Sequence, residues 1–207
     1  MAGDDQTTAL SMEEHKERIE QDLGILEAMA LNMEDYLDSE VLFYPLPDAD
    51  MPRLTLGGYL MRQHRLYELR DNLDTLTRRR LDTTMERFRD ATVGHSGRVE
   101  QRAIHELEAR VRQWQEYLNE LHDACETYAA YYPAAVEARV MMSALINFLR
   151  RPPHELPAAL LTRVAQQDEL LSQQWQGDGF VWPDLWQPAY PEQRYWWLYG
   201  QPVPLAQ

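Results

Sequence analysis

Nine apolar positions, Ile104, Leu107, Val111, Trp114, Leu118, Leu121, Cys125, Tyr128 and Tyr132, follow one another at steps of three and four without a miss. An α-helix turns once in about 3.6 residues, so this spacing gathers all nine onto one stripe, whereas a strand would scatter them over two faces. With 44% of the chain hydrophobic, nine filled positions in a fixed frame arise by chance roughly once in a thousand trials or fewer. A chain with such a stripe must bring other helices to cover it. The stripe predicts one helix from the Gly94-His95-Ser96-Gly97 turn to Tyr132, ended by Pro133.

The partners are legible on both sides. Ile19, Leu23, Leu26, Ala30, Met33 and Leu37 mark a first helix over 12–38, with Ser11-Met12-Glu13-Glu14 as its capping box and residues 1–10 as a flexible lead-in. Pro45, Pro47 and Pro52 make the next stretch a loop. Leu66, Leu69, Leu73 and Leu76, then Leu81, Met85 and Phe88 after a phase slip at Arg78-Arg79-Arg80, predict a second helix from Thr55 to Ala91. It forms an antiparallel hairpin with the third, each arm about 35 residues and about 50 Å long. Val136, Val140, Met141, Ala144, Leu145, Phe148 and Leu149 mark a fourth helix, closed by Arg150-Arg151-Pro152-Pro153. Leu160, Leu161, Val164, Leu171 and Trp175 mark a fifth. No sustained period-two run predicts a strand.

The fold class that follows is all-α. An elongated antiparallel hairpin with coiled-coil-like packing lies within a four- to five-helix bundle over residues 11–175, and an irregular segment follows at 176–207. That segment holds eight of the twenty-one aromatic residues and five of the twelve prolines, with only four charges. A disordered polar tail has the opposite composition. Its rings must be buried, either against the helices or against a partner. Trp, Tyr and Arg are the usual interface anchors, so Trp182, Trp186, Arg194, Tyr195, Trp196 and Trp197 are the candidate partner-binding residues.

The formal charge of −14 is concentrated at one end. Residues 1–50 carry fourteen acids against only Lys16 and Arg18, while residues 51–100 carry ten arginines against seven acids. The simplest arrangement lays the acidic first helix beside the arginine-rich second one. Overall acidity speaks against nucleic-acid binding, because phosphate contacts need a dominant positive surface. The arginines near the hairpin tip (78, 79, 80, 87, 89, 98, 102) are interleaved with Asp82, Glu86, Asp90, Glu100 and Glu106, which reads as a solvated, salt-bridged face.

Catalytic motifs are missing. No Glu-x-x-His pair, His-Glu-x-x-His, Cys-x-x-Cys, Gly-x-Ser-x-Gly or phosphate-binding loop occurs. Gly57-Gly58 at a helix start is a weak phosphate signal. His122, Cys125 and Glu126, spaced to share one helix face, are weak candidates for a metal site, but Cys125 sits in the core stripe. His64 with Glu68 one turn on is the best acid/base pair, at a spacing ordinary helix surfaces also use. Asp168 interrupts the fifth stripe and needs a partner if buried.

No stretch is apolar enough to span a membrane, and no leader is visible at the N-terminus, so a cytoplasmic location is expected. The functional expectation is a non-catalytic protein–protein interaction or assembly protein, with a protein partner or a second copy of itself and no cofactor. The alternative is a small-molecule- or metal-binding helical enzyme with its pocket between helices under the aromatic segment.

Overall fold

The computed structural model describes residues 2–204, with side chains from residue 12 onward. The first helix begins at Ala2, so Ser11 stands inside it and not at its N-terminal cap as expected; the last three residues of the aromatic segment lie outside the described residues. The chain is mostly helical. Among the described residues the helices are α1 (Ala2–Leu31), α2 (Met33–Asp38), α3 (Leu56–Glu68), α4 (Thr75–Thr92), α5 (Ser96–Asp123), α6 (Cys125–Tyr128), α7 (Tyr132–Leu149) and α8 (Ala158–Ser172). Two short strands follow, β1 (Trp175–Phe180) and β2 (Tyr199–Pro202), with 3-10 turns at Asp184–Ala189 and Trp196–Leu198 between them. None of the described helices is long and apolar enough to cross a membrane.

Both long arms expected from the stripes are interrupted. The second breaks between α3 and α4, several residues before the arginine run where the phase slip falls. Asp74 is the reason: its carboxylate accepts the N–H groups of Leu76 at 2.8 Å and Thr77 at 3.1 Å, and the Thr77 hydroxyl at 2.6 Å, so a new helix starts there. Arg78 folds back across the break to donate to the carbonyls of Arg70 and Leu73. The restart shifts the frame, leaving Leu76 exposed while Leu73 and Leu81 stay buried. The expected third helix breaks at Ala124, whose φ of −147° and ψ of 59° are not helical. Its stripe survives the break, with Leu107, Val111, Trp114, Leu118, Leu121, Cys125 and Tyr132 all buried. Pro133 stands at the first turn of α7, where its missing N–H costs nothing.

One hydrophobic core runs through the molecule. The central helix is α3, which touches α1, α4, α5, α7 and the 184–189 turn, while α5 packs chiefly on α7 and α8. The acidic first helix does lie beside the arginine-rich one. Arg80 of α4 reaches Glu20 at 2.6 Å and Glu27 at 2.9 Å, and Asp22, buried on α1, holds both Arg62 and Arg65 of α3.

The all-α expectation needs correcting at the C-terminus. β1 and β2 pair antiparallel, Trp175 opposite Pro202 and Gly177 opposite Gly200. Four of the six β1 residues are exposed, so no buried face imposes the alternation by which strands are read from sequence. The pairing rests on backbone hydrogen bonds and on Gly200. A Cβ there would lie 2.3 Å from the Gln176 carbonyl oxygen and 2.9 Å from the Trp175 ring.

A candidate binding groove beneath the C-terminal segment

The aromatic segment lies on its own helices. Tyr195, Trp197 and Trp186 are buried, and Trp182 and Trp196 are partly so. Trp182 donates its indole N–H to the Pro133 carbonyl at 2.8 Å, and Trp186 lies under the Arg65 guanidinium, 4.5 Å from the ring centroid. Tyr132 donates its hydroxyl to the Trp197 carbonyl at 2.6 Å. Arg139, buried on α7, lies 3.7 Å from the centroid of a Trp197 ring and holds both Asp168 oxygens at 2.7 Å. This supplies the partner that Asp168 requires.

Where this segment crosses α3 and the end of α7 it leaves a groove of about 640 Å³. Leu60, Met61, Met85 and Phe148 supply its apolar surface; Tyr67 and Glu68 stand on the α3 side, and Arg150, Arg151 and Arg194 around the rest. Two of the expected partner-binding residues, Arg194 and Tyr195, are therefore on its wall. Arg194 is exposed and donates to the Asn147 side-chain oxygen at 2.7 Å. Arg150 and Arg151 are exposed just beyond the last turn of α7. Among the described residues, none of these three arginines has a carboxylate within 4.0 Å.

His64 also lines the groove, but its bonds describe a strut. Its Nε2–H donates to the Ala189 carbonyl at 2.8 Å, and its ring meets Tyr190 and Tyr195 at centroid distances of 5.6 Å and 6.2 Å. Nδ1 faces Glu68 at 3.8 Å. Burial lowers the imidazole pKa below its ordinary value, against the raising effect of the Ala189 bond and of Glu68. A neutral imidazole held at Nε2 pins the C-terminal segment. The carboxylate nearest it comes from its own helix and not from a facing element.

The metal candidates separate. Cys125 is buried beyond the Ala124 break, while His122 and Glu126 are exposed, so spacings of three and four no longer describe one face. His122 lines a second depression with Asn119, Asp123 and Gln173. No cluster of three or more His, Cys, Asp or Glu able to hold a metal ion occurs among the described residues.

The Gly57-Gly58 start of α3 already holds a carboxyl group, and it belongs to the chain. Glu106, fully buried, accepts the Gly57 N–H at 2.7 Å and the Arg110 Nε–H at 3.3 Å. A Cβ on residue 57 would sit 2.7 Å from that carboxylate. Burial raises the Glu106 pKa, opposed by Arg110 and the Gly57 bond. Sequence reasoning placed Glu106 on the solvated arginine face. The readable sign was its position one residue before Leu107, on the flank of the stripe.

Of the remaining arginines expected at a hairpin tip, Arg98 pairs with Asp38, Arg89 with Glu86, and Arg102 donates to the Val41 carbonyl. Compared with models of protein families, with curated proteins and with solved structures, the chain matches none.

Proposed function

We propose that this chain is a non-catalytic binding protein of the assembly or adaptor kind, and that it receives a partner protein in the groove between α3, the end of α7 and residues 190–195. The observation that carries this reading is the make-up of the rim. Tyr67, which is 51% exposed, stands with the exposed Arg150, Arg151 and Arg194 around an apolar floor. Tyr and Arg are the residues that most often anchor interfaces. The aromatic segment serves as one wall of the receiving surface, in place of a free arm reaching outward.

A small molecule is the second reading. About 640 Å³ falls within the range of small-ligand sites. Such sites enclose most of their ligand, whereas this rim stands in solvent, and His64 lacks a facing carboxylate for acid/base work.

Native mass spectrometry on the full chain, isolated from its host at low salt, tests the proposal beside an Ala144→Trp variant. Ala144 lines the groove on α7, so an indole there obstructs it without changing any charge. A stoichiometric protein partner on the parent chain that is lost from the variant supports the reading, with far-UV circular dichroism showing an unchanged fold. A bare chain, a small-molecule adduct, or a partner held equally by the variant overturns it.

A further inference from the structure

Resting on that reading of the groove, we propose the chemistry of what it receives: a short, extended, acidic segment of the partner, its carboxylates against Arg150, Arg151 and Arg194 and a main-chain N–H given to the Gln63 side chain. Two independent observations lead there. The first is charge. The molecule carries −14, yet here three exposed arginines line one groove with no carboxylate of the described residues within 4.0 Å of them, Glu68 on the α3 side being the one carboxylate of its lining. An acidic partner is repelled by the net charge of the molecule and attracted by this groove, so the same field that weakens wrong contacts favours this one. A nucleic acid fits less well, because a long polyanion leaving the groove meets the acidic remainder of the protein.

The second is an unused acceptor. Gln63 is on the groove wall, and its Oε1 is buried with no hydrogen-bond partner among the described residues. Leaving such an oxygen unpaired is costly, and turning the Gln63 amide into the groove to meet a bound donor would recover that cost. An extended peptide offers carboxylates and backbone N–H groups together. A free inorganic anion offers no N–H. In an extended segment alternate side chains point to opposite sides, so acidic residues alternating with apolar ones set carboxylates on the arginine rim and apolar groups on Leu60, Met85 and Phe148.

The probe is a short fluorescein-labelled peptide of alternating glutamate and leucine, followed by anisotropy at low salt on the full chain. Its counterpart carries glutamine for each glutamate. The acidic peptide is expected to bind at least about tenfold more tightly than the glutamine peptide, with the preference shrinking as salt is raised. Arg150→Glu with Arg151→Glu is expected to weaken it about tenfold or more. Arg163→Glu, an exposed residue of α8 that does not line the groove, is expected to leave it unchanged. Gln63→Leu tests the acceptor separately, lowering affinity with no change of charge.

Equal binding of the two peptides, no effect of the paired reversal, or displacement of the peptide by inorganic phosphate at comparable concentration overturns the inference. The two proposals fail differently. A natural partner lost from Ala144→Trp but kept by the double arginine variant leaves the groove as the receiving surface and removes the acidic segment.

Discussion

Arg139 lies over Trp197, the guanidinium carbon 3.7 Å from a ring centroid, while the same guanidinium grips both oxygens of Asp168. One side chain of α7 thus ties together α8 and the C-terminal segment. The pair with Asp168 is largely desolvated, with the Arg139 side chain 6% exposed. Removing one member of such a pair strands the other.

Arg139→Ala is accordingly expected to cost ~3 kcal/mol, read as a lower urea midpoint, and to release tryptophan fluorescence at a lower denaturant concentration than the parent. Arg139→Lys keeps the charge but not the planar two-toothed grip or the stacked contact, so it should recover little of the loss. Full recovery by lysine would show that charge alone is at work.

The Gly57–Glu106 contact sets a second test. Gly57→Ala puts a methyl 2.7 Å from the Glu106 carboxylate and 3.2 Å from Leu145 Cδ1. Overpacking at a buried helix start is expected to cost ~2 kcal/mol and lower Tm by about 5 °C. Gly58→Ala, whose nearest contact is the Thr55 hydroxyl at 3.0 Å, should be milder. Equal Tm values for the two variants would count against the contact.

Acid should loosen the C-terminal segment. His64 is held neutral by burial, so its pKa in the docked state lies below the ordinary imidazole value of about 6.5. A group whose folded pKa is depressed favours the fold fully only above its unfolded value. As pH falls below about 6.5 the undocked state takes up the proton more readily, and docking weakens until pH passes the lowered value. Tryptophan emission is expected to shift to the red across that window in the parent chain. In His64→Gln, which has an amide donor and no titration, the shift should be absent; a shift of the same size there would assign it to another group.

Gly200 decides whether the two strands can pair. Gly200→Ala drives a methyl to 2.3 Å from the Gln176 carbonyl oxygen, an approach no small rotation of a flexible side chain relieves. Amide hydrogen exchange should rise around β1 and β2, with α5 and α7 keeping their protection. Protection retained at both strands would mean that the backbone accommodates the change.

Cys125 offers a check on the core stripe. It is buried, and burial, helped by Glu126, raises its thiol pKa. Only the thiolate reacts quickly. A disulfide reagent near neutral pH should therefore label it slowly in the folded chain and fast in urea, the rates converging only if the residue is open to solvent.

Period and composition carried much of this protein unaided. The stripes of α1, α5 and α7 are core stripes, because a 3.6-residue period leaves one face to bury wherever the partner comes from. The opposite charge of the first two segments predicted their contact, and Arg80 with Glu20 and Glu27 embodies it. The need of the C-terminal aromatics for cover was likewise a matter of composition.

What the linear chain left open depended on who meets whom. Asp74 looks like any surface acid until a helix ends just before it. Glu106 became buried because Gly57, far away in sequence, brings an N–H to it. β1 shows no strand period because neither of its faces is fully covered. The groove exists only because residues 190–195 cross α3 and α7, gathering arginines from positions 150, 151 and 194. Local spacing determines which face of an element is apolar; contacts between distant segments decide which polar groups are paired and which are left free to receive something else.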